Sequence, residues 1–409
     1  MTFDNRSQHR VRRGRLLVIS QVYLPDPASV GQHLAGLCEA LVEEGHAVMV
    51  LTAKRGYDDP GMHYPSRETL DGVRVHRLPW ASLGKLTLRR RLLAGVLFVL
   101  QSTWIGLTTR RITGVVIATS PPLTAASGWA ISLARRVPLI MWVMDLNPEQ
   151  AVLAGVASPR SLGARLLDWF TRRALARSRQ VIALDEAMAR LLSKKNVANP
   201  AVLPPWAHNG GEPPGAGKAY REQLGIADRF VFMYSGNHSP VHPMAPLIRA
   251  VERIRSRDDI RVLFIGGGVG KPQIDAAIAR NRLENAISLP YEPFENIGNS
   301  LAAADVHVVV MGEHMVGVVH PSKLYGALAA GRPILIVGPH PAAALVVESG
   351  AGWVVENEAE LIAAAMERIV DSNPEVILGM REAARSLSAR FSRSRLVPEL
   401  VRLVDAALV

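Results

Sequence analysis

The sequence predicts an α/β protein built from two Rossmann-like domains, and three observations carry that expectation. The chain has 409 residues, too many for one ordinary core and enough for two domains of roughly 200 residues each. Short runs rich in Val, Leu and Ile alternate with longer amphipathic stretches, the pattern of βαβ units around a parallel sheet. The alternation is broken once, at 204–215, where Pro and Gly crowd together as they do in an interdomain linker. A closed eight-stranded barrel would not need that break. The expected division is 1–207 for the first domain, 208–379 for the second and 380–409 for a helical segment returning to the first.

In the first half the expected strands are 15–20, 47–52, 73–77, 114–119, 139–144 and 180–183. In the second they are 230–234, 261–265, 287–289, 306–310, 333–337 and 352–355. Hydrophobic residues make up 48% and charged residues 20% of the chain, which fits a well-buried α/β protein and argues against disorder. The single cysteine, Cys38, rules out an intrachain disulfide framework and any Cys-rich zinc site. A reducing, cytoplasmic setting is the expectation. The basic arm (Arg6, Arg10, Arg12, Arg13, Arg15) is followed by only a short apolar run, 16–20, so it reads as a solvated arm before a first strand and not as a signal peptide.

Charge is divided unevenly. Residues 1–200 carry 27 Lys and Arg against 14 Asp and Glu, and residues 201–409 carry 20 against 22. The first half alone is therefore expected to meet an anionic surface. No helix-turn-helix, zinc-finger or aromatic RNA-binding pattern is present, so nucleic acid is not the expected partner. Lys85, Arg89, Arg90 and Arg91 precede an apolar stretch, 92–108, and Arg110 and Arg111 follow it. That stretch contains Gln101, Ser102 and Thr103 and falls short of the ~20 residues a membrane span needs. It reads either as a helix lying in the headgroup region of an anionic membrane or as a buried domain helix. Arg172, Arg173, Arg177 and Arg179 extend the basic face.

Strand 15–20 leads into a loop and a helix in which Ser29 is the expected N-cap, Gly31 lets a phosphate approach the backbone, and His33 reads as a helix-surface residue, with a catalytic role the alternative. Strand 139–144 ends in Asp145-Leu146-Asn147-Pro148-Glu149. A carboxylate at the carboxyl end of a buried strand faces the crevice where open α/β sheets bind ligands. Asp145 is thus the candidate for the reacting centre, orienting an acceptor hydroxyl or taking its proton; the alternative is a cap on the next turn.

In the second half, strand 230–234 runs into Ser235-Gly236-Asn237-His238, and strand 261–265 into Gly266-Gly267-Gly268-Val269-Gly270. Glycines at strand ends can cradle a diphosphate on free N–H groups, or can simply form flexible turns. The segment from His320 to Pro333 carries the sharpest signal. Pro321 and Gly331 bracket a short helix, and Lys323 stands in its first turn, where the helix dipole favours an acid. A cation placed there makes sense when a phosphate binds beside it.

Pro-Ser-Lys-Leu-Tyr followed by Ala-Leu-Ala-Ala-Gly-Arg-Pro resembles the donor-binding segment of family-four retaining glycosyltransferases of the GT-B fold, and is most similar to their WbuB-like branch. The Tyr-Ser-Gly-Asn strand end and the Phe-Ile-Gly-Gly-Gly turn match in order and spacing, and the resemblance spans nearly the whole chain. It implies two parallel sheets facing each other across a cleft. It also implies transfer of a sugar, with retention and without a bound metal, from a UDP- or GDP-linked donor. It further implies a lipid-linked or saccharide acceptor, in O-antigen, capsule or exopolysaccharide assembly beneath the cell membrane. By this resemblance Gly236 and Asn237 contact the donor phosphates and sugar, Gly267 and Gly268 lie in the matching glycine turn, and Lys323 meets the diphosphate. Ser322 and Leu324 present first-turn amides, Gly31 closes on the donor from the other domain, and Tyr291 lies near the nucleobase or packs as a loop aromatic. Two departures stand out. The family's paired Glu fall at Val318 and Gly326, with Glu313 a conceivable substitute. Its Arg and Lys after the glycine strand end fall at Asn237 and His242, which leaves Lys323 more of the phosphate charge. A nucleotide-sugar 2-epimerase and a degenerate GT-B binding or partner subunit are the competing readings.

Overall fold

The computed structural model describes residues 14–26, 28–56, 61–82, 88–207 and 215–409, without the side chains of Leu88, Arg89, Arg91 and Phe294. The basic arm ahead of Gly14, Lys85 and the centre of the linker at 208–214 lie outside the described residues. The chain divides into two compact units, Met1–Pro204 with Ser394–Val409, and Pro205–Arg393.

The first unit holds strands β1 (Arg15–Ile19), β2 (Ala47–Ala53), β3 (Arg67–Leu70), β4 (Val73–Leu78), β5 (Ile112–Ala118), β6 (Leu139–Trp142), β7 (Ser178–Ala183) and β8 (Ala201–Val202). Its helices are α1 (Ser29–Glu43), α2 (Leu88–Thr108), α3 (Thr124–Arg135), α4 (Glu149–Leu153), α5 (Leu162–Arg177) and α6 (Glu186–Lys194). The strands form one sheet in the order β3-β4-β2-β1-β5-β6-β7-β8, parallel throughout except for β3 against β4. Leu16 to Ile19, Val115 to Ala118 and Leu139 to Trp142 are fully buried, because helices cover both faces of a parallel sheet and its central strands read as continuous apolar runs.

The second unit holds α7 (Lys218–Gln223), β9 (Phe230–Ser235), α8 (Ala245–Arg253), β10 (Ile260–Ile265), α9 (Lys271–Asn281), β11 (Ala286–Leu289) and α10 (Ile297–Ala302). It continues with β12 (Val306–Val310), α11 (Lys323–Ala329), β13 (Ile334–Val337), α12 (Ala343–Glu348), β14 (Gly352–Val355), α13 (Ala359–Val370) and α14 (Pro374–Ala389). The sheet order is β11-β10-β9-β12-β13-β14, all pairs parallel. The strand order reverses between β9 and β12, the place where a crevice opens at the carboxyl ends of such sheets.

Each of the twelve strands read from the sequence falls within two residues of a strand in the structure. Two further strands carry no such signal. β3 is Arg-Glu-Thr-Leu with alternating exposure, an edge strand whose charges discourage pairing with another chain, and β8 has only two residues. The C-terminal segment divides differently from the expected break at 380. α14 lies in the second unit, with α11 as its neighbour. Only the last helix, α15 (Arg393–Leu408), belongs to the first, where Asp405 meets His46 Nε2 at 2.7 Å and Leu408 lies beside Gly114.

The floor of the second sheet is pinned by one carboxylate. Asp305, just ahead of β12, accepts from Arg221 and Arg381 at 2.6 Å each and from the Val231 amide at 2.9 Å. Asp305→Ala would leave two largely buried guanidiniums without their common anion. It is expected to cost about 3 kcal/mol, measurable as a lower urea midpoint at unchanged slope. A loss under ~1 kcal/mol would show that the network is cosmetic.

Candidate functional site

The carboxyl ends of β9, β10 and β12 bring the second half's sequence candidates together. Gly236 follows β9 with φ +132°, and Gly266 follows β10 with φ +126°. A Cβ on Gly266 would stand 2.1 Å from the Gly236 carbonyl oxygen, so the two strand ends close on each other backbone to backbone and only glycine fits. The His238 amide donates to the Gly267 carbonyl at 2.7 Å, and the Gly270 amide to the His238 carbonyl at 2.8 Å. The two glycine segments therefore form one structural piece. Asn237 is exposed, with its Oδ1 lying against Gly268. Tyr291 is 49% exposed and lays its ring edge against Gly267.

Lys323, the first residue of α11, extends its stem over Gly236, where a Cβ would meet the lysine Cε at 2.8 Å. Its ammonium sits over the Tyr234 ring, 5.2 Å from the centroid, a cation–π contact. It also lies 3.0 Å from His242 Nε2. The protonation of that imidazole follows from its other nitrogen. His242 Nδ1 is 2.8 Å from the Val310 carbonyl, which can only accept, so Nδ1 carries the proton and Nε2 offers its lone pair to Lys323. Burial and the neighbouring lysine hold the His242 pKa well below the ordinary histidine value, which keeps the ring neutral. Burial likewise pushes the Lys323 pKa down to about 8 because little around it solvates the charge. The result is a cation held by a ring face and a neutral imidazole, with no carboxylate among these contacts.

His238 was absent from the sequence candidates, yet it is fully buried, sets its ring tilted against Tyr234 with centroids 4.8 Å apart, and joins the two glycine segments. Its Nδ1 faces the Gly267 carbonyl at 3.3 Å, and burial lowers its pKa to about 4. The signal for it was its place directly after Gly236-Asn237. Lys271, at the start of α9, donates to the Phe264 and Leu289 carbonyls at 2.5 and 2.8 Å and so fastens β10 to β11.

Ser322 is exposed ahead of α11, and Leu324 is fully buried in the core beneath it. Val318 is buried and Glu313 exposed. Gly326 lines a cavity of ≈ 170 Å³ with Ser235, Leu301, His307 and Lys323, and a Cβ at this place of the family's second Glu would stand 3.3 Å from Leu301 Cδ1. His307 Nε2 lies 2.9 Å from the Leu301 carbonyl and therefore donates to it. Burial lowers the His307 pKa to about 4.

In the first unit Asp145 follows β6. Its amide donates to Thr119 Oγ1 at 3.0 Å, and the Met144 amide meets the same oxygen at 2.9 Å. Burial raises the carboxyl pKa to about 6, opposed by a hydrogen bond from Gln150. A carboxylate poised there can exchange a proton near neutrality. It does not cap α4, whose first residue is preceded by Pro148 with no side-chain cap.

Two first-half expectations are corrected, and a third residue has a packing role. Ser29 is the first residue of α1 and not its cap, since Ala28 occupies that place; the Ser29 hydroxyl lies 3.3 Å from His33 Nδ1. His33 is 3% exposed and not on the helix surface, with Nδ1 2.8 Å from the Ser29 carbonyl. Gly31 has a packing reason: a Cβ would stand 3.1 Å from the backbone N and Cα of Tyr23, so its missing side chain admits the chain's own backbone. Around α2, Arg90, Arg110 and Arg111 are exposed, and the side chains of Arg89 and Arg91 lie outside the described residues.

Two family descriptions match the chain in succession: the Glycosyl transferase 4-like domain over residues 29–206 and the Glycosyl transferases group 1 domain over residues 229–372. The chain is 27% identical over 345 residues to WcaI of Escherichia coli (strain K12), named as a colanic acid biosynthesis glycosyl transferase, covering 79% of this chain and 83% of WcaI. Its fold is similar to that of sucrose-phosphate synthase from Thermosynechococcus elongatus, with a TM-score of 0.76, 17% identity and coverage of 96% and 99% of the two chains. It is also similar to that of Anabaena HepE in complex with UDP and glucose, with a TM-score of 0.69, 17% identity and coverage of 96% and 100%. With both halves matched in order and two parallel-sheet units in place, the chain belongs to the glycosyltransferases of the GT-B fold and is a transferase enzyme.

Proposed function

We propose that the enzyme moves a sugar, with retained anomeric configuration, from a UDP- or GDP-linked donor to a lipid-linked acceptor in the assembly of a cell-surface polysaccharide. The observation that supports this most is the Lys323 ammonium. It stands over the Gly236 strand end at the switch point of the second sheet, seated by neutral groups that leave its charge for an anion. The donor diphosphate lies against Lys323, Gly236, Asn237 and the turn at Gly267 and Gly268, with Tyr291 beside the base. Lys323 then supplies charge that the family divides among more cations. HepE, which shares this fold, was solved with UDP, and WcaI is named for colanic acid biosynthesis.

In the proposed reaction the acceptor oxygen bonds to the sugar's anomeric carbon on the face that the diphosphate leaves. The carbon–oxygen bond to phosphate breaks, and its electron pair stays with the leaving oxygen. That oxygen receives the acceptor's proton, with Asp145 orienting the hydroxyl. The test is incubation with a panel of UDP- and GDP-sugars and a bacterial membrane lipid extract, scored for glycosylated lipid by mass spectrometry. A sugar-sized mass gain on a polyprenyl diphosphate lipid, with one donor preferred, is the expected result. No transfer from any donor, in the presence of measured nucleotide binding, would contradict the acceptor class.

A further inference from the structure

The amino ends of the strands in the second unit, opposite the donor site, gather more positive charge than their carboxylate balances. Asp305, ahead of β12, takes Arg221 of α7 and Arg381 of α14 at 2.6 Å each. Arg332 follows the turn that ends α11 and precedes β13. The charges that act on it are Arg381, Asp305, Arg221 and Arg385, and Asp305 is the one acid among them. Arg385 stands four residues after Arg381 on α14, so the two share a helix face. Its side chain lies across Gly331, where a Cβ would meet the arginine Nε at 2.7 Å and its Cγ at 2.8 Å. Gly331 has φ +62°, and a glycine there both makes the turn and admits the arginine stem.

Structural duties do not use up this charge. Arg332 donates to the Ala302 carbonyl at the end of α10, and Arg221 Nε to the Ala303 carbonyl at 2.7 Å. Both cap a helix end, where the dipole supplies about half a negative charge. The end of α11, three residues before Arg332, adds about as much. Four guanidiniums thus face one carboxylate and about one further negative charge, which leaves a surplus of about two. Hydrogen-bonding capacity is left over as well. Arg332 Nε and Arg381 Nε are buried without a partner, and among the described residues Arg385 makes neither a hydrogen bond nor an ion pair. Glu382 is exposed on α14, where water screens it. Burial first and Arg381 second lower the Arg332 pKa to about 10, and Asp305 acts in the opposite direction. Arg332 therefore stays charged at neutral pH but short of anionic partners.

We propose that Arg332, Arg381 and Arg385 form a second anion site that binds a phosphate dianion, either inorganic phosphate or the phosphate group of a monoester. The surplus of about two charges matches a dianion, and planar guanidinium forks match the spacing of phosphate oxygens. Arg385 is exposed and Arg332 partly buried, so the ligand reaches the cluster from solvent past Arg385. The site goes beyond the proposed transfer reaction. Lys323 and Arg332 stand at opposite ends of α11, a helix about 10 Å long, and one phosphate cannot serve both.

The experiment is thermal melting and calorimetry of the full chain carrying Lys323→Ala, which removes the donor-site cation. Sodium phosphate is compared with sodium chloride at equal ionic strength and slightly alkaline pH. The melting temperature is expected to rise saturably with phosphate and not with chloride, and the heats to fit one site per chain. Adding Arg385→Gln is expected to weaken phosphate binding about tenfold, the scale of one hydrogen bond to a charged group. Arg385→Lys keeps the charge without the fork and is expected to recover part of that loss. Glycerol phosphate distinguishes the sources: tighter binding of the ester marks an organic phosphate, and tighter binding of the free ion marks inorganic phosphate. With Lys323 intact, Arg385→Gln is expected to bind UDP like the parent. Phosphate that raises the melting temperature no more than chloride, or that binds equally well with and without Arg385→Gln, overturns the proposal. A glutamate-rich peptide that binds through Arg385 where phosphate does not assigns the cluster to a protein partner and also overturns it. UDP affinity that falls with Arg385→Gln contradicts the separation of the two sites.

Discussion

Lys323→Ala is expected to weaken binding of UDP- and GDP-sugars on the order of a hundredfold or more, the scale for deleting a charge that pairs with a desolvated phosphate. The fold should not suffer. Burial has already lowered the Lys323 pKa to about 8, so at neutral pH the folded state pays to keep an ammonium there. Its stability contribution runs the opposite way to its function: a lysine with a depressed folded pKa destabilises below that pKa, and removing it relieves the cost. The variant is therefore expected to melt at or above the parent temperature near pH 7 while losing donor. The parent's affinity should also fall as pH rises through about 8, because the amine must be charged to hold diphosphate. Calorimetry in buffers of different ionisation enthalpy should then show proton uptake on binding near that pH. In Lys323→Ala both the pH dependence and the proton uptake should vanish. A variant that binds like the parent would move the diphosphate elsewhere.

Asp145→Asn is expected to leave donor binding unchanged and to lower kcat on the order of a hundredfold, the scale for misplacing a reacting group. The parent rate should fall as pH drops below about 6, where the carboxylate gains a proton. The stability sign is worked from the same shift. A carboxyl whose folded pKa is raised favours the folded state only while protonated, so between about pH 4 and 6 its contribution is lost as pH rises. Asn escapes that cost and is expected to raise stability at neutral pH, by up to about 3 kcal/mol. Lower turnover in a more stable protein is hard to produce by structural damage, which makes the pair of readouts informative. Reduced turnover with reduced stability would assign Asp145 to the scaffold.

The strands and the division of the chain were legible because parallel sheets buried on both faces write themselves as apolar runs, and a linker writes itself as Pro and Gly. β3 was not legible. Its alternation of Arg, Glu, Thr and Leu answers to an edge position, which is a property of its neighbours and not of its own composition. In the site, Gly236, the 266–268 turn and Lys323 could be picked out because glycine and a misplaced cation are anomalies of local chemistry. What seats the lysine could not. His242 was marked only as a departure from a family pattern, and its role depends on the Val310 carbonyl, 68 positions away, fixing its tautomer. Ser29 and His33 misled for a related reason: a serine and a histidine at a helix start suit a cap and an exposed helix face, yet here the helix begins one residue earlier than a Ser29 cap requires and the His33 ring is buried.

The central claim is that the diphosphate of the donor rests on Lys323 at the ends of β9 and β10. A crystal structure of the protein with UDP or GDP tests it most directly. The account predicts a β-phosphate oxygen within hydrogen-bond distance of Lys323 Nζ, above Gly236 and beside the turn at Gly267 and Gly268. A diphosphate bound elsewhere, with Lys323 still turned only to His242 and Tyr234, would contradict it.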